Sequence, residues 1–414
     1  GIHRARSAPA PAARQVRHAH RFIPGLLSPR FRAAVRPRSA PLPLSPMHII
    51  LANPRGFCAG VHMAIDVVDQ VLDLFPGQPI YVYHEIVHNK HVVNRFKDRG
   101  VKFVEEIAEV PHGAIIVFSA HGISPAVREE AKARNLVAVD ATCPLVTKVH
   151  SEAVRYARQG YEILLVGHAD HQEVVGTRGE APDAIQVVDS PEDIGHLKIA
   201  DSSSSKIAYL TQTTLSTDDA SVIIDALKKS FPNIKDPPSS DICYATTNRQ
   251  QAVRQLAPEC DLVLVVGSKN SSNSVRLTEI SANVGVNAYL LDDVSELRDE
   301  WFARTPGAGR HATVLITAGA SAPEDLVAEL CRTLLNRYGR ERKDGSTGGI
   351  EQRDVFNEDT EFGLPATLKR LMREKGIDPE SRRIRVGSYD LTEELYGAAP
   401  SRQTVPLTVS GREV

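Results

Sequence analysis

The stretch HIILANPRGFCAGV, residues 48–61, carries the fold in miniature. HIILA is apolar and β-branched without alternation, the mark of a strand buried on both faces. NPRG interrupts it with residues that build turns. From Ala59 a helical apolar pattern takes over, which leaves Cys58 at the carboxyl end of the strand. The theme recurs in AIIVFSA (114–120), EILLVG (162–167), KIAYLT (206–211), DLVLVVG (261–267) and ATVLIT (312–317). Strand, turn and helix in repeated succession predict parallel sheets built from βαβ units, an α/β protein. Helix starts are expected at Ser124-Pro125, at Thr217-Asp218-Asp219 and at Ser321-Ala-Pro-Glu324, the last with the spacing of a capping box.

A chain of 414 residues has room for two or three domains. With 42% hydrophobic and 24% charged residues it reads as an ordinary soluble protein. No apolar run reaches the roughly 18 residues of a membrane helix, so no membrane partner is expected. Net charge is −2, which gives no general attraction to nucleic acid. The charge is uneven. Residues 1–46 hold nine arginines and no acid, so −2 for the whole leaves −11 on the rest. That basic extension, Pro- and Ala-rich and without periodicity, is expected to be disordered. Its composition also suits a transit peptide. Met47 opens a different pattern and reads as the natural start, with a cytoplasmic location preferred to plastid import. Five scattered cysteines indicate a reducing compartment rather than a disulfide-stapled fold. Cys58, Cys143 and Cys243, 85 and 100 residues apart, each follow a strand-like stretch and suggest units over 47–142, 143–240 and 241–340. Residues 341–414 have no chemical reading, and are expected to be a small appendage or largely disordered.

Ligands of parallel sheets gather at the carboxyl ends of strands, where the next helix presents unpaired N–H groups. The turns there read NPRGFC, SAHG, DATC, GHADHQE, TQTT, DIC, GSKNSSNS and TAGASAP. Singly, most have plain explanations. Ser321 caps a helix, Thr213 and Thr214 satisfy local backbone groups, and His121 is a bonded polar residue. Their concentration at one kind of position is what points to a site. Three converging thiolates would make a soft site for zinc or an iron–sulfur cluster, against the alternative of three unrelated buried thiols. The close C-x₂-C pairs of structural zinc are absent. A 4Fe–4S cluster on three thiolates would leave one iron open to a substrate oxygen. Cys260, before a strand, and Cys331, inside a helix, read as packing. Ser271, Ser272 and Asn273 in GSKNSSNS form either a phosphate cradle or a capped helix start, without matching a P-loop. Glu173, among histidines in HADHQEVVG, is a candidate proton donor or a solvated surface group.

Together NPRGFCAGV, YHEIVHNKHVV, FSAHGIS, DATCPLV, GHADHQEVVGT, TQTTLS, DICYATTNRQ, GSKNSSNS and TAGASAPE resemble the successive motifs of the 4-hydroxy-3-methylbut-2-enyl diphosphate reductases of bacterial type. The resemblance runs from Met47 to about Tyr338. It implies three small parallel-sheet domains in a pseudo-threefold trefoil around a central 4Fe–4S cluster, held by Cys58, Cys143 and Cys243. It also implies a diphosphate pocket of His88, His121, Ser271, Ser272, Asn273 and Ser321, with His171 as a further pocket histidine. Glu173 then relays protons, and Thr213 orients the substrate hydroxyl with Thr214 beside it. The implied reaction is the reductive dehydroxylation of (E)-4-hydroxy-3-methylbut-2-enyl diphosphate to isopentenyl and dimethylallyl diphosphates. This closes the methylerythritol phosphate route to isoprenoids. No G-x-G-x-x-G occurs, so electrons are expected from a ferredoxin or flavodoxin, and the family suggests a monomer or weak dimer. Two rivals remain: another three-cysteine iron–sulfur enzyme of the quinolinate synthase kind, and a zinc-holding redox sensor.

Overall fold

A computed structural model describes residues 47–199, 206–303, 313–339, 349–380 and 401–404. The expectations for residues 1–46 lie outside these. The chain begins with β1 (His48–Asn53), α1 (Ala59–Leu74), β2 (Ile80–Tyr83), α2 (Lys90–Asp98), β3 (Lys102–Val104), β4 (Ile115–Phe118), α3 (Pro125–Ala133) and β5 (Val137–Asp140). It continues with α4 (Pro144–Arg158), β6 (Glu162–Val166), α5 (Gln172–Glu180), β7 (Ile185–Val188), β8 (Ile207–Thr211), α6 (Thr217–Ser230) and α7 (Tyr244–Leu256). Then come β9 (Leu262–Val266), α8 (Ser272–Asn283), β10 (Ala288–Leu291), α9 (Glu300–Ala303), β11 (Thr313–Ala318), α10 (Glu324–Tyr338), β12 (Ile350–Asp354), α11 (Ala366–Glu374) and β13 (Ser401–Thr404). Short 3₁₀ turns lie between several of these.

Among the described residues the strands form three sheets, ordered β3-β2-β4-β5, β7-β6-β8 and β10-β9-β11-β1-β12-β13. Pairing is parallel throughout. The α/β expectation holds, and the six apolar runs are all strands. No helix among the described residues is long and apolar enough to cross a membrane.

Sheet membership differs from the expected boundaries at both ends. β1 does not join the sheet of β2–β5. It lies between β11 and β12, with Ile49 and Leu51 in one core and Ile50 and Ala52 in the other. α1 leaves that sheet and buries Val67, Val68 and Val71 with β2 and β4. The first unit is therefore split, with Cys58 at the crossing. The described part of the C-terminal segment, residues 349–380 and 401–404, is no appendage either. β12 extends the largest sheet beside β1, in register Ile49↔Ile350 to Asn53↔Asp354. Its polar side chains are paired: His48 Nε2 contacts Glu351 at 3.0 Å and Asn53 Nδ2 donates to Asp354 at 2.9 Å. Downstream, α11 buries Leu368 and Met372 in the α1 core.

Leu368 is fully buried there, so Leu368→Ala is expected to cost about 3 kcal/mol. Urea unfolding of the metal-free chain reads this. A loss below about 0.5 kcal/mol, the scale of a neutral surface change, would make α11 a loosely held tail.

Candidate active site

Each of the three cysteines singled out occupies a helix N-cap: Cys58 before α1, Cys143 before α4 and Cys243 before α7. Their backbones are anchored alike. Cys58 N–H donates to Ala320 O (3.2 Å), Cys143 N–H to Ala120 O (3.0 Å) and Cys243 N–H to Thr213 O (3.0 Å). Every acceptor stands two residues past a strand end, those of β11, β4 and β8. One bond, repeated once per sheet, thus fixes all three sulfurs. The positive end of each helix favours a thiolate. A Cβ on Gly60 would lie 2.6 Å from Cys143 Sγ and 3.9 Å from Cys58 Sγ, so those sulfurs meet across a gap that only glycine leaves open. Without metal, burial raises the Cys143 thiol far above its usual range, with the Cys58 charge adding to it. Burial, again followed by Cys58, pushes Cys243 up to about 11. Cationic ligands would have to displace those protons.

Beyond the thiols three histidines cluster. The His88 and His121 rings stack at 3.9 Å, and His171 meets them edge-on at 5.5 and 6.2 Å. Burial holds His121 well below its usual range. It also holds His171 down to about 3, with the charges of His88 and His168 contributing. Both rings are neutral at ordinary pH. His171 Nδ1 accepts the Glu173 amide (3.2 Å), which leaves its proton on Nε2. His88 Nε2 and His121 Nδ1 are buried and find no hydrogen-bond partner among the described residues.

Facing them is the start of α8. Ser271 caps it by accepting the Ser274 amide (3.4 Å), as its place in GSKNSSNS predicts. Ser272 Oγ donates to Thr214 O (3.2 Å), and Asn273 accepts the Ala320 amide (3.0 Å). The capping box expected from Ser321 to Glu324 does not form. Glu324 pairs with Arg55 at 2.5 Å, Pro323 takes the N-cap, and Ser321 Oγ donates to His88 O (2.9 Å). A charge-assisted contact has outcompeted a neutral cap and released the serine to the site.

Glu173 is buried, not a solvated surface group. Its carboxylate accepts Thr213 N–H (2.6 Å) and Thr213 Oγ1–H (3.0 Å). Burial raises its pKa to about 7, outweighing the lowering by Thr213, and the Asp241 charge adds to the rise. The Glu173 charge is also felt at Cys243.

Cys58, Cys143, Cys243, His88, His121, His171, Glu173, Thr213, Thr214, Ser271, Ser272, Asn273 and Ser321 all line one cavity. Its remaining wall is largely apolar, with Val61, Val87, Leu145 and Phe362. Cys331 is buried in the core beneath α10, and Cys260 packs against the core beneath β9. Among the lining residues that escaped the sequence reading, two bear on the site. Thr246 Oγ1 lies 3.1 Å from Cys243 Sγ and accepts from Asn273 Nδ2 (3.3 Å), joining thiol to polar pocket. Its signal was its place three residues after a helix-capping cysteine. Phe362 comes from the C-terminal segment, whose charged sequence gave no signal.

Fold and site define an α/β protein with a trio of half-buried, helix-capping thiols beside an anion-ready pocket. The family model described as LytB protein matches residues 49–335, and the chain belongs to this family. Curated relatives named 4-hydroxy-3-methylbut-2-enyl diphosphate reductase include that of Acidothermus cellulolyticus, 48% identical over 83% of this chain and 96% of the relative. That of Alcanivorax borkumensis is 52% identical over 78% of this chain and 100% of the relative. Among solved structures, E-1-hydroxy-2-methyl-but-2-enyl-4-diphosphate reductase from Plasmodium falciparum is 38% identical with a TM-score of 0.73, covering 80% of this chain and all of that one.

An anion entering beside His121 stabilises the protonated ring that burial disfavours, whereas His171, whose Nδ1 accepts the Glu173 amide, stays neutral. Inorganic diphosphate is therefore expected to bind with proton uptake, its affinity falling as pH rises from about 6 to about 8. Calorimetry in two buffers of different ionisation enthalpy measures the uptake. Binding without it, at pH-independent affinity, would contradict this reading of the histidines.

Proposed function

We propose that the chain reduces (E)-4-hydroxy-3-methylbut-2-enyl diphosphate to isopentenyl and dimethylallyl diphosphates, the activity its relatives are named for. The observation that carries the reading is one cavity lined by three helix-capping thiols, by the His–Ser–Asn pocket and by the Glu173–Thr213 pair. The residues fit a 4Fe–4S cluster held by Cys58, Cys143 and Cys243. Their thiols are half-buried, mutually repelling when ionised, and aimed from three helix starts. When bound, such a cluster supplies electrons and a Lewis-acidic iron free of protein thiolate.

The chain's own residues do the rest. Ser271, Ser272, Asn273, Ser321, His88 and His121 hold the diphosphate, with the α8 N-terminus adding its dipole. His171 donates from Nε2 without bringing charge. Val61, Val87 and Leu145 cover the five-carbon chain and exclude water. Across the reaction the C–O bond breaks, two electrons and two protons enter, and water leaves. Thr213 orients the departing hydroxyl, with Thr214 beside it, and Glu173 supplies a proton. With a pKa of about 7 Glu173 is close to half protonated at neutral pH, the range where a general acid works best. Electrons arrive from a small one-electron carrier of the ferredoxin or flavodoxin type. The protein acts in the cytoplasm as a monomer or weak dimer. Neither a quinolinate synthase-like enzyme nor a zinc sensor accounts for the Ser–Asn cradle beside the thiols.

Anaerobically reconstituted protein with a chemical reductant is expected to form both products; iron–sulfur absorbance without products would sink the activity. Glu173→Gln should keep its iron and bind diphosphate normally, while turnover falls about 100-fold or more. Wild-type turnover should decline as pH rises through about 7, where the acid form of Glu173 is lost, and the variant's residual rate should lack that decline. Turnover within twofold of wild type would remove Glu173 from proton supply.

A further inference from the structure

DICYATTNRQ contains a residue to which the reaction gives no task. Arg249, on α7, is 0% exposed, and a guanidinium is costly to bury unless every donor is engaged. Its partners explain the burial. Nε and Nη2 donate to Gly56 O at 3.2 and 2.9 Å, and Nη1 donates to Ala245 O at 2.9 Å. Nη1 also meets both oxygens of Glu358, at 3.1 and 3.2 Å. Gly56 stands two residues before Cys58, and Ala245 two residues after Cys243. Glu358 belongs to the segment that brings Phe362 to the cavity wall, and Asn248 Nδ2 holds it as well (3.1 Å).

One planar fork therefore ties the turn of the first thiol, the helix of the third and the C-terminal segment. A lysine ammonium, a single point on a flexible stem, cannot span all three. The Arg249 bonds named above reach the turn of Cys58 and the helix of Cys243, whereas Cys143 approaches Cys58 across Gly60. We infer that Arg249, with Glu358 as its counter-ion, is a positioning residue that sets the spacing of the Cys58 and Cys243 sulfurs and so the grip on an iron–sulfur cluster. This rests on the cluster reading above only for what the sulfurs hold, not for how they are spaced.

The test uses the full, metal-free chain. A short thiol-to-thiol cross-linker is applied to wild type, Arg249→Met and Arg249→Lys, and linked peptides are counted by mass spectrometry. In both variants the Cys58–Cys243 link should fall about tenfold, because such coupling depends steeply on proximity. The Cys58–Cys143 link should stay within about twofold, with cooperative thermal unfolding retained. After reconstitution, a chelator should strip iron from the variants about tenfold faster or more, the scale on which outer partners of metal ligands act. If Arg249→Met loses its unfolding transition, Arg249→Lys decides. Unchanged links, or both links falling together in the lysine variant, overturn the inference, the latter making Arg249 a general folding residue. A wild-type chain that takes up no iron removes the cluster reading while the cross-links still judge the brace.

Discussion

The structure depends on one backbone hydrogen bond made three times. A helix-capping cysteine donates its N–H to a carbonyl two residues beyond a parallel strand, at Ala320, Ala120 and Thr213. Those strand ends belong to buried β11, β4 and β8, so the sulfurs inherit the rigidity of three packed sheets. The next residue in each acceptor loop is Ser321, His121 or Thr214, and all three line the cavity. The same anchor that fixes the thiols therefore places the polar pocket beside them. A crossing at the chain's start makes this possible: β1 joins the largest sheet while α1 packs on another, leaving Cys58 between them.

Burial governs the chemistry of the titratable groups whose ionisation it shifts. It keeps the Cys143 and Cys243 thiols protonated, His121 and His171 neutral, and Glu173 near the midpoint of its titration at neutral pH. Charge then enters largely with what binds. A cationic cluster would take thiolates and release protons, whereas an anion would draw a proton toward His121. Glu173 bonds Thr213 on one side and is joined through its amide to His171, the edge-on neighbour of His121, on the other, so it adjoins both changes.

Much of this was legible in the sequence, for identifiable reasons. Unbroken Val–Ile–Leu runs have few structures open to them other than a strand buried on both faces, and all six became strands. The thiols were legible by position, since each opens a helix, but only Cys58 and Cys143 follow strands; the SSDIC stretch before Cys243 is a loop after α6, not the strand-like stretch expected. The sheet of β1 was not, because HIILA is equally buried wherever it pairs and its partners begin at Thr313 and Ile350. β12 was invisible because IEQRD is stabilised by pairing its polar side chains rather than by burying apolar ones. Ser321 was read as a cap because its spacing to Glu324 is right; only the fold brings Arg55 in to claim the glutamate.

Iron and sulfide analysis of wild type and five single Cys→Ser variants, reconstituted anaerobically, tests the central claim most directly. Wild type, Cys260→Ser and Cys331→Ser should each hold about four irons and four sulfides per chain, and serine at position 58, 143 or 243 should empty the site. Full iron in any of those last three, or its loss in Cys260→Ser, would contradict a cage gripped by three helix-capping sulfurs.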